Sequence, residues 1–161
     1  MTDAASPSHA RARPAIRLAV RAVLMHEGRL LMVNAYPDAR GSDLWCAPGG
    51  GAEPHEGLPA SLAREVREET GLEVAVGAPC LLNEFHDPDR GFHQVEAFFR
   101  CRLLSGALDD GWRDPERVVT RRRWVGREEL RALRHKPGAL GPVAWREPGA
   151  PAYDALERIV G

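Results

Sequence analysis

The first regular pattern along the chain is an alternation of apolar and polar residues. Arg17 and Arg21 fall on one side of it, and the residues on the other side are apolar: Ile16, Leu18, Val20, Ala22 and Leu24. A period of two residues is typical of a half-buried β-strand. The sequence HEGR follows as a turn, in which Gly28 can adopt a positive φ, and LLMVNAY supplies a second apolar run. Residues 16–35 are therefore predicted to form an antiparallel hairpin.

A four-residue periodicity replaces the alternation further along. The short apolar run LWCA ends at PGGG, which cannot continue a strand and brings backbone without side chains to one point. Leu58, Leu62 and Val66 then recur every four residues, and Gly71 suits the position just after a helix. These signals predict a helix near residues 57–70.

The rest of the chain consists of apolar β-like runs and short helical ones. LEVAV, PCLLNEF, FHQVEAFFRCRLL and VVTRRRWV are predicted strands, and REELRALR is a predicted short helix. PAYDALERIV is a predicted terminal helix because Tyr153, Leu156 and Val160 share a helical face. Strands, a helix, more strands and further helices indicate a mixed α/β (α+β) fold. With 161 residues the chain fits one domain, expected over residues 14–161 behind a flexible N-terminal tail at 1–13.

Composition excludes several classes of partner. The chain has 22 Lys and Arg against 23 Asp and Glu, a formal net charge of −1, so no general attraction for nucleic acid or an anionic membrane is expected. The N-terminal sequence lacks the apolar core of a signal peptide. Cys46, Cys80 and Cys101 lie far apart without CxxC spacing, which indicates neither a disulfide framework nor a zinc site. We expect a cytoplasmic protein.

Three glutamates crowd the predicted helix within the sequence REVREETG. With Glu65 at zero on a helical wheel of about 100° per residue, Glu69 lies at about +40° and Glu68 at about −60°. The apolar residues Leu62 and Val66 lie at about +60° and +100°, so Glu65 and Glu69 overlap the buried side of the helix. A solvated helix face, the ordinary interpretation of a charge run, would lie opposite that side. Carboxylates three and four positions apart repel one another, and more strongly when they are partly desolvated.

A divalent cation would neutralise this cluster. Mg²⁺ prefers oxygen ligands, keeps several waters, and is commonly held by a few carboxylates together with substrate phosphates. Zinc is disfavoured because no His or Cys accompanies the glutamates, and the sequence lacks the loop of a calcium-binding EF-hand. The PGGG segment ordinarily indicates a structural turn, but at a helix entrance its backbone can also offer a carbonyl to a metal or amides to an anion.

Residues 50–72, GGAEPHEGLPASLAREVREETGL, match the Nudix box G-x5-E-x7-R-E-U-x-E-E-x-G-U, where U is apolar, at every fixed position. The matching residues are Gly50, Glu56, Arg64, Glu65, Val66, Glu68, Glu69, Gly71 and Leu72. The chain therefore resembles the Nudix hydrolase family, and Trp45 with Pro48-Gly49 resembles the usual approach to the box. The resemblance implies a Nudix-type α/β/α sandwich with a mixed sheet.

The resemblance also implies an activity, namely hydrolysis of a diphosphate linkage in a nucleoside diphosphate derivative with Mg²⁺ or Mn²⁺. The substrate would be a nucleotide, an ADP-ribose-like molecule or a nucleotide-sugar, attacked by metal-activated water. The implied site residues are Glu65, Glu68, Glu69 and the Gly49 carbonyl for metal binding, the same glutamates with Arg64 for catalysis, and Gly50, Glu56 and Gly71 for support.

The group that takes the proton from the water is left open, because Nudix proteins use either a box glutamate or an acid in a later loop. The loop SGALDDGWRDPE offers four candidates: Asp109, Asp110, Asp114 and Glu116. Candidate substrate contacts cluster near a predicted turn: His86, Arg90 and His93. The offset of Pro88 from the box resembles that in ADP-ribose pyrophosphatases, although HDPDRG is also a good turn sequence.

Two functions of different classes remain open from the sequence. One is the metal-dependent hydrolase, and the other is a non-catalytic Nudix-fold sensor or regulator that binds a nucleotide ligand. The intact box favours the hydrolase. The expected partner is a small nucleotide-type molecule, not nucleic acid or a membrane, and the resemblance allows a monomer or a homodimer.

Overall fold

A computed structural model describes residues 15–160. The predicted tail at 1–13 lies outside the described residues. Seven strands are present: β1 (Arg17–His26), β2 (Arg29–Asn34), β3 (Trp45–Cys46), β4 (Glu73–Asp87), β5 (Phe92–Ser105), β6 (Arg122–Val125) and β7 (Ala152–Arg158). Three α-helices accompany them: α1 (Leu58–Thr70), α2 (Arg127–Ala132) and α3 (Leu140–Ala144). Single 3-10 turns occupy Asp38–Arg40 and Pro88–Arg90.

The strands form one mixed sheet in the order β3-β2-β1-β5-β4-β7, with β6 paired to β2 outside this path. β1 runs parallel to β5 and β4 runs parallel to β7, whereas the other pairs are antiparallel. The predicted hairpin of β1 and β2 is present, closed by the pairs Met25–Leu30 and His26–Arg29. The mixed α+β class predicted from the sequence is thus confirmed.

Apolar residues fill both faces of this sheet. On one face α1 packs its Leu62 and Val66 against a cluster from the strands: Val20, Ala22, Leu24, Leu31, Val74 and Phe99. On the other face α2 and α3 contribute to a second cluster: Val23, Leu30, Met32, Cys80, Leu81, Phe98, Val125, Leu130, Leu140 and Val143. Helices on both sides of a sheet make the predicted sandwich.

The prediction for β1 is wrong at its start. Ile16 and Leu18 are 60% and 41% exposed, although the later apolar positions on their side of the strand are buried. Ala19 and Val23, on the side assigned to solvent, are fully or almost fully buried. Ala19 and Val23 are buried because β1 is an interior strand covered on both faces along that part, whereas Ile16 and Leu18 belong to neither apolar cluster.

The predicted terminal helix is also wrong, because the segment forms β7. Its backbone pairs with the edge of β4, with Leu81 opposite Ala152 and Leu82 opposite Tyr153. Tyr153 is 62% exposed, so the apolar face that predicted the helix packs against little. Pairing satisfies the backbone groups along the edge of β4, and that gain outweighs a weak local helical preference.

Two smaller differences concern continuity. LEVAV and PCLLNEF, predicted as separate strands, are one strand, β4, whose register shifts around Pro79. The helix α3 was not predicted, because the sequence LGPVA contains a glycine and a proline. None of the helices between residues 15 and 160 has the length and apolar character needed to cross a bilayer.

Candidate active site

The helix α1 begins and ends as its sequence predicts. Gly57 occupies the N-cap with Pro in the first turn, and Gly71 adopts the left-handed conformation (φ 75°) and donates its N–H to the Arg67 carbonyl at 2.8 Å. Leu62 and Val66 are completely buried against the sheet. This packing fixes the rotation of the helix and turns Glu65 and Glu69 toward the loop that precedes it.

The glycine loop before α1 is tied to β1 by backbone hydrogen bonds. The Val20 N–H donates to the Gly50 carbonyl at 2.9 Å. Gly49 has φ 140°, and a Cβ there would lie 2.1 Å from the Val20 carbonyl oxygen. A Cβ on Gly50 would lie 2.3 Å from the Glu65 carboxylate. Both positions therefore require glycine, the first for the backbone and the second to leave room for Glu65.

Glu65 and Glu69 line a common cleft of about 250 Å³ beside the glycine loop. The Gly49 N–H donates to the Glu69 carboxylate at 2.8 Å. Burial raises the pKa of the Glu69 carboxyl to about 8, although Arg21 and this hydrogen bond act to lower it. Burial also raises the pKa of Glu65, against the opposing effect of Arg64. Burial thus disfavours the charged form of both carboxyls, and the neighbouring arginines offset it only in part.

Arg64 joins the acidic side chains of this region. Its guanidinium donates to Glu65 at 2.9 Å, to Glu56 at 3.2 Å and to Glu68 at 3.3 Å. Glu56 also accepts a bond from the Ser61 hydroxyl at 2.7 Å. The bond to Glu56 is the largest of several contacts that hold the pKa of Arg64 above its usual range. Arg64 therefore fixes the carboxylates that surround it.

Glu68 points elsewhere than Glu65 and Glu69. It lines a neighbouring hollow together with Arg67, Glu73 and Trp112. Among the described residues, no three acidic, His or Cys side chains converge into a preformed metal site. The structure thus brings two of the three predicted glutamate ligands, together with Gly49, into one cleft and leaves Glu68 beside Arg64.

The loop after β5 places its four acidic residues differently. Asp114 is buried and accepts from the backbone N–H groups of Glu116, Val118 and Val119, so it shapes the loop. Asp109 and Asp110 border a separate hollow away from the cleft. Glu116 lines the cleft with Glu65 and Glu69, and its charge adds to the burial that raises the pKa of Glu65.

The predicted substrate contacts lie at the β4–β5 turn. His86 and His93 are cross-strand neighbours with ring centroids 6.2 Å apart, and His93 lies 3.2 Å from Glu84. Arg90 is largely exposed and lies 3.4 Å from Asp87. None of the three lines the cleft or the cavity that adjoins it. Their contact with substrate stays a prediction.

A cavity of about 220 Å³ opens next to the cleft, on the face of the sheet opposite α1. Arg17, Arg21, Ala35 and Cys46 line both spaces, so the two form one continuous groove. The cavity is walled by apolar side chains, including Tyr36, Phe85 and Phe92, and by polar ones, including Asn83, Gln94 and Glu96.

Arg21 is the residue of this groove that sequence reasoning missed. It was assigned to a solvated face, but it donates to the Gly49 carbonyl at 2.6 Å and to Glu96 at 2.8 Å. Although burial acts to lower it, the pKa of Arg21 is raised by the Glu96 carboxylate. The sequence offers one indication of this pairing, because Arg21 and Glu96 are charged residues inside otherwise apolar strands.

The donor set of the cleft fits a hard divalent cation. Glu65 and Glu69 offer carboxylate oxygens, and the Gly49 carbonyl keeps a second lone pair beside the bond from Arg21. The buried, electrostatically unfavourable state of Glu69 is the state that a bound cation would relieve.

Comparison with known proteins gives a consistent picture. The sequence model of the NUDIX domain family matches residues 15–145 of this chain. The chain is 33% identical to "Diphosphoinositol polyphosphate phosphohydrolase 2" of Rattus norvegicus over 113 residues, which cover 69% of this chain and 58% of that protein. The chain thus spans less than two thirds of the length of this relative.

Two solved structures show a similar fold. A NUDIX hydrolase from Nitrosomonas europaea superposes with a TM-score of 0.64 at 23% identity, covering 89% of this chain and 78% of that one. An ADP-ribose pyrophosphatase from Streptococcus suis superposes with a TM-score of 0.62 at 21% identity, covering 87% and 100%. At these identities the likeness establishes the fold alone.

Proposed function

This chain belongs to the Nudix family, and on that premise we propose that it hydrolyses a diphosphate linkage in a nucleoside diphosphate derivative, in a reaction that depends on Mg²⁺ or Mn²⁺. The observation that carries the proposal is the placement of Glu65 and Glu69. Both line one groove beside a glycine loop whose backbone reaches the Glu69 carboxylate.

The metal would be held by Glu65 and Glu69, with Glu68 and the Gly49 carbonyl as the further ligands that the family resemblance implies. A bound divalent cation supplies charge neutralisation at phosphate oxygens and lowers the pKa of a water molecule. Arg64 acts as a positioning residue, because its bonds to Glu56 and Glu65 orient a carboxylate of the groove.

Glu116 is the best placed of the four loop acids to accept the proton of the attacking water. It lines the groove with Glu65 and Glu69, whereas Asp114 is engaged by the backbone. The water oxygen forms a new bond to phosphorus, the bridging phosphorus–oxygen bond breaks, and the departing phosphate keeps the bonding electrons. The water proton passes to the carboxylate.

The adjoining cavity favours a nucleotide as the attached group. A polyphosphorylated inositol, which the name of the rat relative suggests, would need cationic side chains available for several phosphates. Four basic residues line the cavity, but Arg21, Lys136 and Arg158 already have carboxylate partners. Its aromatic walls suit a planar base better.

The setting and the partners are part of the same proposal. The proposed setting is the cytoplasm, whose reducing conditions would keep the thiols of Cys46, Cys80 and Cys101 free. A small nucleotide-type molecule is the proposed partner. No role for nucleic acid or a membrane is proposed, and either a monomer or a homodimer is compatible with the groove described.

The proposal is tested by incubating the protein with Mg²⁺ or Mn²⁺ and a panel of diphosphate compounds. The panel holds nucleoside triphosphates, oxidised nucleotides, ADP-ribose, nucleotide-sugars, dinucleoside polyphosphates and a diphosphoinositol polyphosphate. We expect cleavage of at least one nucleoside diphosphate derivative, seen as release of a nucleoside monophosphate by chromatography. Tight ligand binding without product would favour the non-catalytic sensor instead.

Matched variants connect turnover to the groove. Glu69→Gln and Glu68→Gln should each lose most of the activity while remaining folded. Glu128→Gln is the control, because Glu128 carries the same carboxylate on the exposed surface of α2. Full activity in Glu69→Gln would remove this residue from the catalytic set.

A further inference from the structure

The cavity half of the groove contains a buried polar floor that the proposed reaction does not use. Asn83, Gln94 and Glu96 are at most 5% exposed, yet all three line the cavity. Asn83 comes from β4 and the other two come from β5, and their side chains share one face of the sheet. Burying polar groups is unfavourable unless each finds a partner.

Two of these residues are satisfied within the protein. Gln94 accepts a bond from Arg17 and donates to the Glu96 Oε1 atom at 2.9 Å. Arg21 donates to the same Oε1 atom at 2.8 Å. Both bonds to Glu96 therefore fall on one oxygen, and Oε2 keeps its capacity to accept from a ligand.

Asn83 is different, because its Nδ2 is buried and has no hydrogen-bond partner. Only one other side-chain atom in residues 15–160 shares this state, Arg121 Nε, and the Asp38 carboxylate lies 3.3 Å from it. Asn83 has no such compensation. Asn83 also lines the cavity, and an unpartnered buried donor on a cavity-lining residue is explained if the cavity normally holds an acceptor.

The sheet register places this donor directly beside an acceptor. Asn83 and Glu96 are cross-strand partners, so their Cβ atoms lie about 5 Å apart on the same face. The cavity has room for about seven water molecules at ~30 Å³ each, and this volume is large enough to admit a one-ring or a two-ring base. Phe85 and Phe92, with ring centroids 6.0 Å apart, form part of its wall.

We propose that Asn83 and Glu96 recognise the lactam edge of a base, in which a ring carbonyl stands next to a ring N–H. The Asn83 amide donates to the carbonyl, and Glu96 accepts from the ring N–H. Uracil, guanine and hypoxanthine carry this edge. Adenine and cytosine present an amino group and a bare ring nitrogen there, which reverses both polarities and leaves donor facing donor and acceptor facing acceptor. This inference rests on the proposed function, since the base belongs to the diphosphate substrate.

The test measures binding separately from hydrolysis. Calorimetry with nucleoside monophosphates, without divalent metal, compares UMP with CMP and GMP with AMP. We expect the lactam member of each pair to bind at least about tenfold more tightly, because a buried polar site strongly rejects a ligand that leaves it unpaired. In Asn83→Asp, which exchanges the donor for an acceptor in the same shape, this preference should fall below about threefold.

Two further variants keep the result interpretable. Asn83→Leu removes the unpartnered donor and should fold with an unchanged or higher melting temperature, while also losing the preference. Leu82→Ala is the control, because Leu82 is the preceding residue of β4 and faces the opposite side of the sheet. It should keep the preference of the parent protein.

The outcomes separate this inference from the proposed function. Equal binding of UMP and CMP, or a preference for the amino bases, would overturn the inference even if the protein hydrolyses nucleoside diphosphates. A lactam preference that Asn83→Asp abolishes would support it even if no substrate is cleaved. If hydrolysis is found, UDP-glucose and GDP-glucose should exceed CDP-glucose and ADP-glucose in kcat/KM.

Discussion

Replacing Gly50 with alanine would test whether the position of the Glu65 carboxylate controls catalysis. The new Cβ would lie 2.3 Å from Oε2, 2.5 Å from Cδ and 2.9 Å from Oε1 of Glu65. A comfortable contact between such atoms is about 3.5 Å, so the carboxylate must move by roughly 1 Å. The obstacle is a side chain and not backbone, and the rest of the fold can stay in place.

The expected losses in stability and in activity differ widely. Displacing Glu65 weakens its 2.9 Å bond with Arg64, a partly exposed pair worth about 1 kcal/mol. Alanine in place of glycine recovers about 0.4–1 kcal/mol by restricting the unfolded chain. The free energy of unfolding should therefore change by less than about 1 kcal/mol. A misplacement of about 1 Å in a catalytic group lowers kcat/KM by about 100-fold, or about 2.7 kcal/mol.

The assay compares kcat/KM for the best substrate of the panel with the melting temperature of each variant. Gly57→Ala is the matched control, because a Cβ on this N-cap glycine meets nothing within 4 Å. Gly49→Ala gives the opposite contrast, since its Cβ would strike the Val20 backbone and should destabilise the fold. The reasoning is refuted if Gly50→Ala keeps its activity within about twofold, or if its loss of activity merely follows a loss of folding.

Three further predictions concern the scaffold and the thiols. Asn34→Ala should lower the free energy of unfolding, measured in urea, by about 3 kcal/mol. The reason is that the buried Asn34 amide makes four hydrogen bonds to backbone groups. A loss below about 1 kcal/mol would contradict this. Trp112→Phe should lower the free energy of unfolding by about 1 kcal/mol in the same assay, because it removes the indole N–H that donates to the Glu68 carbonyl at 2.8 Å. An unchanged midpoint of urea unfolding would show that this bond is dispensable. Burial raises the pKa of Cys46 and of Cys101 to about 12, so at pH 8 iodoacetamide should alkylate them about 1000-fold more slowly than an ordinary cysteine, as followed by mass spectrometry. Both residues are partly exposed, so rapid labelling of the folded protein would contradict the raised pKa of these thiols and not their packing.

The glutamate half of the groove could be predicted from the sequence because its determinants are local. The predicted helix at 57–70 differs from α1, Leu58–Thr70, by a single residue at its start. The proline of its first turn, its buried Leu62 and Val66, and its closing Gly71 all lie within the helix or directly next to it, so a local sequence pattern specifies where it begins and ends. The wheel also placed Glu65 and Glu69 toward the buried side, and both now line one groove.

The errors arise where pairing partners are distant along the chain. β7 looked helical because its apolar residues fit a helical period, but the edge of β4, about 70 residues earlier, offered backbone partners that no local pattern reveals. Arg21 looked solvated because arginine on an alternating strand usually is. Its partner Glu96 is 75 positions away, and only the parallel pairing of β1 with β5 brings the two together.

The same contrast suggests how chemistry and specificity are divided in this protein. The residues proposed for the chemical step lie on one helix, its preceding loop and Glu116, so the box largely fixes them as a unit. The cavity floor is assembled from separate strands, where Asn83 faces Glu96 only through the β4–β5 register. A substitution at Asn83 can therefore change which base is accepted without touching any backbone bond of the glycine loop. Because its buried amide has no partner in the protein, the same substitution should also relieve an energetic cost of about 1–3 kcal/mol. A gain in stability accompanied by a loss of base preference would be the signature of a residue retained for recognition, whereas a loss of both would mark Asn83 as part of the scaffold.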